Sequence, residues 1–316
     1  MLTNDSVKEF VENNPKLVTR KQSQKYPELF VLKYTRKVFY DALWNDFLID
    51  MRGTVVDKDY NPVIMPFRKI YNRGENGTDI ERDEMVTAVR KINGFMAAAT
   101  FVEQTGEVVV STTGSLDSEY VTRAKDYITS YVKQHIMHHF GITGKRYTHL
   151  FEICHPTDQT HPIREQLGAY YLGAREVKWN GLEVRNQSHL DEVANMFGII
   201  RPEWVVDRFS NIVEHTKVCR HEGFVVYGQD SGTALKLKSP HYLVTKFVGR
   251  MKESRLDDLV ERPQHFKASM DEEFWPLVDY IAANKDHYKS LEELAKFEYI
   301  KEFLNGKDSE TKVSGD

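Results

Sequence analysis

Cysteine is nearly missing. Two residues, Cys154 and Cys219, stand in a chain of 316, which gives no disulfide framework and no cysteine zinc cluster. Long apolar runs are missing as well. None approaches the roughly 18 residues of a membrane span, and the first residues, MLTNDSVKEFVENN, lack the basic-then-apolar layout of a signal peptide. A reducing cytoplasm, no membrane contact and a monomer are the expectations. Basic excess is also absent: 43 Lys and Arg stand against 47 Asp and Glu, a net charge of −4. That is not the global footprint of a nucleic-acid binder. A local basic groove can still sit on an acidic body, so any polyanion partner has to be argued from particular residues. Internal repeats and low-complexity linkers are not found.

What is present reads as a large mixed domain followed by helices. From about Leu29 to Gly114 the pattern is mostly strand: ELFVLKYTRKVFY, FLIDMRGTVVD, NPVIMPF, then FMAAATFVE and EVVVSTTG around a QTGE turn. The spacing of EYVTRAKDYITSYVKQHIMHHF predicts one helix over about 118–139, ended by Gly141. Strands YTHLFEICH and LGAYYLGAREV follow, then helices at HLDEVANMFG and PEWVVDRFSNIVEH, then strands HEGFVVYG and ALKLKS about a QDSG turn. After about Thr245 only helical patterns remain. The expected organisation is an α+β domain over 1–245, a small all-helical domain over 246–305 and a polar, disordered tail over 306–316.

Five short stretches carry candidate chemistry. In TAVRKINGFMAAAT, Lys91 sits where the chain heads for its core. A lysine in water is protonated and no nucleophile; partial burial or nearby positive charge frees its lone pair. Gly94 lets a ligand approach the backbone. In HLFEICHP, Glu152 is a carboxylate inside an apolar strand, costly unless it is paired or binds a metal or hydroxyl. Glu222 opens the apolar strand of CRHEGFVVYG in the same way. In ALKLKSPHY, Lys236 and Lys238 are two apart, so a strand points both to one face, which makes sense if that face holds phosphate. Arg52 precedes a glycine in DMRGTVVD, and Lys69 and Tyr71 alternate in MPFRKIYNRGENG. Each stretch also has an ordinary reading: a snorkelling lysine, outward-facing carboxylates, or edge lysines that discourage aggregation.

Their order is more specific than any one of them. An Arg-Gly strand, a Pro-Phe-x-Lys segment, a Lys-x-x-Gly, a Phe-Glu strand, a Glu-Gly strand and a Lys-x-Lys strand follow one another, the layout of the covalent nucleotidyltransferases. MRGTVVD through PFRKIYNRGENG, LFEICHPTDQTHPIRE with YYLGARE, HEGFVVYG and LKLKSPHY together resemble the RNA ligase 1 family of T-even phages and relatives. The likeness runs from about Arg52 to Tyr242. Tyr242 matches that family's aromatic four residues after its last motif lysine. One position departs: the usual Lys-x-Asp-Gly is here Lys91-Ile92-Asn93-Gly94, a form that resembles the ligase domains of fungal tRNA ligases. The change removes a negative charge beside the nucleophile and puts in question how a metal near Lys91 is held.

The resemblance implies a nucleotidyltransferase (ATP-grasp-like ligase) domain of antiparallel sheets with flanking helices. It implies an RNA ligase that uses ATP with Mg²⁺ or Mn²⁺. Lys91 attacks the α-phosphate, AMP passes to an RNA 5′-phosphate, and a 3′-hydroxyl then displaces it, with cleaved tRNA among the candidate substrates. Lys236 and Lys238 suit the α-phosphate. Arg52 and Lys69 suit the leaving phosphates, the ribose or the RNA 5′-end. Glu152 and Glu222 suit a metal shell or a ribose hydroxyl. Tyr71 packs near the nucleotide, and Asn93 offers an amide to a metal-bound water or hydroxyl. A viral source would place it in the host cytoplasm. Open alternatives are a DNA ligase or GTP-using capping enzyme of the same superfamily, or a non-catalytic RNA-binding module.

Other features are read as structural. His135, His138 and His139 form a helix-end cluster favourable to the dipole. Cys154, His155 and His161 are not taken as a nucleophile set. Phe274, Trp275, Tyr280, Phe297 and Tyr299 are expected in the core of the helical part.

Overall fold

The computed structural model describes residues 2–158, 160–250, 259–267, 270 and 274–310. The fold is α+β, as expected, with antiparallel sheets and flanking helices. The chain divides into two compact units. One takes the residues up to Ile70, Gly94–Asp158 and Glu165–Glu203; the other takes Tyr71–Asn93, a short piece ending at Arg164, and the chain from Trp204 on.

The first unit is built on two four-stranded sheets. One has the order β1-β2-β3-β4, from Val18–Gln22, Phe30–Tyr34, Arg52–Val56 and Pro62–Ile64; the other has the order β10-β9-β7-β8, from Gly168–Glu176, Tyr147–Cys154, Phe95–Val102 and Glu107–Thr112. Val31, Val55 and Ile64 of one sheet share a buried cluster with Ala98, Val109 and Leu150 of the other. Helix α1 (Asn4–Asn13) covers the outer face of the first sheet, and α3 (Glu119–Lys125), α4 (Ser130–Thr143) and α5 (Gln187–Phe197) cover the second. Covered on both faces, β7 reads as an apolar run with buried Ala97, Ala98 and Ala99 rather than as an alternation.

A buried ion pair ties distant segments of this unit. Arg175 Nη1 lies 2.6 Å from Asp50 Oδ1, with both side chains fully covered. The same guanidinium donates to the Pro66 carbonyl at 2.8 Å, Arg68 Nε reaches Asp50 at 3.3 Å, and the Lys69 N–H donates to Ile49 O at 2.9 Å. The segments that carry Arg52 and Lys69 are thereby held together.

The second unit has one five-stranded sheet, order β11-β6-β12-β13-β5, from Trp204–Arg208, Met85–Arg90, Gly223–Gly228, Ala234–Lys238 and Tyr71–Asn72. Its pairings are antiparallel except β13 with β5. Helix α6 (Phe209–Val218) packs Phe209 and Ile212 against Val86, Ala88 and Val226. Helix α7 (Pro240–Arg250) is followed by helices Pro263–Lys267, Trp275–Ala283, Lys285–Ser290 and Glu293–Glu310, which share a separate apolar cluster with Val244 and Phe247 of α7. The boundary expected at 245 lies inside α7. The last helix extends into the tail expected to lack structure, and 311–316 lie outside the described residues, as does 251–258 of the expected helix there.

Several local expectations are corrected. The helix expected over 118–139 is two, because the Thr129 hydroxyl accepts from the Val132 N–H and starts a second helix. That helix passes Gly141 and ends at Gly144, whose φ of 63° suits a left-handed cap. Trp204–Arg208 is a strand, not the start of a helix, because it finds a partner in β6. Arg36–Tyr40 is a short helix, α2, where strand was expected. Tyr280 is not core; it is exposed and stacks on Tyr299 and Phe303 at 5.2 and 4.6 Å between ring centroids, while Phe274 is buried. The Phe297 side chain lies outside what the structure describes.

Candidate active site

In the second unit, β6 and β12 pair with Phe224 opposite Arg90, and the next N–H along β6, that of Lys91, donates to Gly223 O at 2.8 Å. This register places Lys91 beside Glu222. The Lys91 ammonium lies 2.9 Å from Glu222 Oε1, with the lysine side chain 23% exposed and the glutamate 3%. The other carboxylate oxygen, Oε2, accepts from Asn93 Nδ2 at 2.8 Å. Asn93 is itself buried, and its Oδ1 accepts from the Ile163 N–H at 3.0 Å. Lysine, carboxylate and amide thus form one connected chain.

Electrostatics keep that carboxylate charged. Burial pushes Glu222 up, but the nearby charges of Lys91 and then Lys238, with hydrogen bonds from Lys91 and Asn93, outweigh it and hold the group below its ordinary value.

The Lys-x-Lys strand completes this side. Lys238 is the register partner of Gly223, and Lys236 of Val225. Leu235 and Leu237, which alternate with them, are buried, so both lysines point to the opposite face. Lys238 Nζ stands 5.7 Å from the Tyr242 ring centroid and Lys246 Nζ 5.2 Å from it, with the aromatic side chain buried. Ser239 anchors the turn between. Its N–H donates to Glu222 O at 2.9 Å, and its hydroxyl donates to His221 O and accepts from the Tyr242 N–H as the cap of α7. Tyr71 opens β5, half-buried, opposite Leu235.

The remaining expected residues lie in the first unit. Glu152 on β9 accepts from the Gly94 N–H at 3.2 Å and faces Met96 across the sheet. Arg52, half-buried at the start of β3, donates to Met96 Sδ at 3.9 Å, so Arg52 and Glu152 border the same methionine. Lys69 is buried with its ammonium 4.8 Å from the Trp44 ring and 5.4 Å from Phe39.

Two of the expected residues also have contacts within the protein. At Gly94 a Cβ would lie 2.4 Å from the Ile153 carbonyl, so the absent side chain serves strand packing. Asn93, expected to offer its amide to a metal-bound water or hydroxyl, donates it to Glu222. Sequence reasoning also misses Asp50 and Arg175. Both lie inside the motif stretches, and a fully buried arginine gives no sign of itself in a one-dimensional pattern.

The chain matches the family described as RNA ligase, of the T4 type 1 kind, over residues 50–248. No curated relative matches it by sequence. Solved structures share the fold. An archaeal ATP-dependent RNA ligase, form 1, is 14% identical with a TM-score of 0.56, covering 97% of this chain and 79% of that one. Its form 2 is 15% identical at 0.54, covering 86% and 75%. A putative ATP-dependent DNA ligase from Aquifex aeolicus is 13% identical at 0.57, covering 98% and 81%. At such identities the likeness is one of fold.

Proposed function

The chain belongs to the RNA ligase family, and from that premise we propose that it seals RNA 5′-phosphate and 3′-hydroxyl ends with ATP through a covalent lysyl-AMP at Lys91. The observation that carries this reading is the connected Lys91–Glu222–Asn93 set beside Lys238. The names of the archaeal neighbours, ATP-dependent RNA ligases, support ATP as the nucleotide.

In this reading the Glu222 carboxylate orients the Lys91 side chain. As the neutral amine, Nζ attacks the α-phosphorus; a P–N bond forms, the nitrogen gives a proton to solvent, the P–O bond to pyrophosphate breaks, and AMP stays on the lysine. The RNA 5′-phosphate oxygen next takes the AMP, releasing the amine. The 3′-hydroxyl then loses its proton, attacks that 5′-phosphate phosphorus and expels AMP. Phosphoryl transfer of this kind depends on positioning and on neutralising spread charge. Lys236 and Lys238, on one strand face, suit the α-phosphate. Arg52 and Lys69 suit the leaving phosphates or the RNA 5′-end, and Tyr71 and Tyr242 pack near the nucleotide. Magnesium is commonly held by one or two carboxylates with water and phosphate oxygens, and Glu222 and Glu152 fit that donor type. Mg²⁺ or Mn²⁺ would supply charge neutralisation at the phosphates. Residues 1–245 would form the nucleotidyltransferase part, and the later helices would select which RNA ends are sealed, those of cleaved tRNA included.

The test is label retention. Protein incubated with Mg²⁺ and α-labelled ATP and then denatured should keep an acid-labile label that Lys91→Ala lacks. Single-stranded RNA bearing both ends should then be joined. Label from GTP alone would turn the reading to a capping enzyme, joining only of nicked DNA to a DNA ligase, and no label under any condition to a binding module.

A further inference from the structure

An acidic protein that handles RNA needs a local excess of positive charge, and one segment has it. Residues 16–40 carry seven Lys and Arg against the single Glu28, in a chain whose net charge is −4. In the structure this segment is the β1–β2 hairpin and α2, all within the first unit. Every one of the seven cations is exposed. Lys25 pairs with Glu107 and Lys37 with Asp41, and Arg20 lies over the Phe30 ring at 3.4 Å. Lys16, Lys21, Lys33 and Arg36 have no ion pair among the described residues, although Asp117 feels the charge of Lys21.

The register gives these charges a direction. Lys33 is paired with Thr19 on the outer strand and with Arg52 on the inner one. Lys21 lies two residues from Thr19 on the same strand face. Lys21, Lys33 and Arg52 therefore run across the sheet from its edge inward. The Lys33 ammonium reaches the turn at Gly114, where it would lie 3.5 Å from an added Cβ, and Thr113 of that turn packs on Gly53 next to Arg52. Tyr34, next to Lys33 on β2, points to the other face of the sheet, where it and Trp44 pack on the cluster that includes Val7 and Val11 of α1.

We infer that the β1–β2 hairpin is a docking surface for single-stranded RNA, with Lys21 and Lys33 holding the phosphates of the strand whose end lies at Arg52. Exposed cations without ion pairs among the described residues, running inward from the edge of a sheet, suit a flexible polyanion. The assignment of Arg52 rests on the functional reading above; the basic hairpin itself does not.

The experiment is fluorescence anisotropy of a labelled single-stranded oligoribonucleotide, titrated with full-length protein at several salt concentrations. Lys21→Glu with Lys33→Glu should weaken binding by about tenfold or more and reduce the slope of log K against log salt by about 0.7 for each phosphate no longer neutralised. Label transfer from α-labelled ATP, which needs no RNA, is measured on the same preparations. Weakened RNA binding with label transfer retained supports the surface. Unchanged affinity and salt slope overturn it and leave the lysines as guards of an edge strand. If the glutamate variants fail to fold, Lys21→Gln and Lys33→Gln put the same question through the salt slope. A wild-type protein that takes no label, yet binds RNA in a way these variants weaken, would sink the ligase reading and keep this one.

Discussion

At the scale of single residues, Asn93 decides how the site is held. Its amide donates to Glu222 and accepts from the Ile163 N–H, and only a side chain with one donor face and one acceptor face does both. An aspartate, the family's more usual residue here, would set a second carboxylate at 2.8 Å from Glu222 Oε2. The wild-type Glu222 carboxyl is held below its ordinary value. Its contribution to stability is therefore complete above the unfolded carboxylate pKa and is lost only as pH falls through the lower folded value. Asn93→Asp reverses this sign. Two adjacent carboxylates raise one pKa, so the variant should be destabilised at neutral pH and recover as acid protonates the pair. Asn93→Ala should cost about 1–3 kcal/mol at any pH above that range, since it leaves buried partners unmatched. Thermal melts across pH separate the two. Equal melting curves for Asn93→Asp and the parent at neutral pH would refute this account of the residue.

At the scale of elements, the β6–β12–β13 arrangement places the lysine, and glycine permits it. Gly223 has φ of 128°, and a Cβ there would lie 2.0 Å from Leu237 O. Gly223→Ala should cost about 2 kcal/mol or more through both strain and clash. It should also slow label transfer, because the carbonyl of residue 223 accepts from the Lys91 N–H. Gly232, at φ of 66° with open space around it, is the comparison: Gly232→Ala should cost about 1 kcal/mol and leave label transfer intact. Urea titration and label retention read both. The strands β12 and β13 are legible in the sequence because they alternate or run apolar between turn residues. The strand Trp204–Arg208 is not, because at the sheet edge it shows no clean alternation and only its pairing with β6 defines it. The break at Thr129 is hidden because apolar spacing continues through it. Lys91, Glu222 and Lys238 can be gathered from motif order, but the partners of Asn93 cannot. They lie 129 and 70 residues away, and nothing local signals an amide's second hydrogen bond.

At the scale of the whole molecule, the question is what the C-terminal helices contribute. The boundary expected from composition falls at 245, inside α7, and the structure gives that helix two attachments. At its start, Ser239 caps it while bonded to the backbones of His221 and Glu222. Farther along, Val244 and Phe247 enter the apolar cluster of the later helices, with Phe274, Leu277 and Ile281. Tyr242, beside Lys238, sits between these attachments. Removing the residues after 245 would take away Phe247 and expose Val244, and the apolar burial given up would loosen the helix that seats Tyr242. A chain ending at 245 should therefore melt below the full chain and take less label from ATP, even though Lys91, Asn93, Glu222, Lys236 and Lys238 all remain. If the shortened chain takes label as well as the full one, the helices serve only the choice of RNA ends. If restoring α7 alone, by ending at 250, recovers neither stability nor label, the whole helical cluster is part of what holds the nucleotide side of the site in shape.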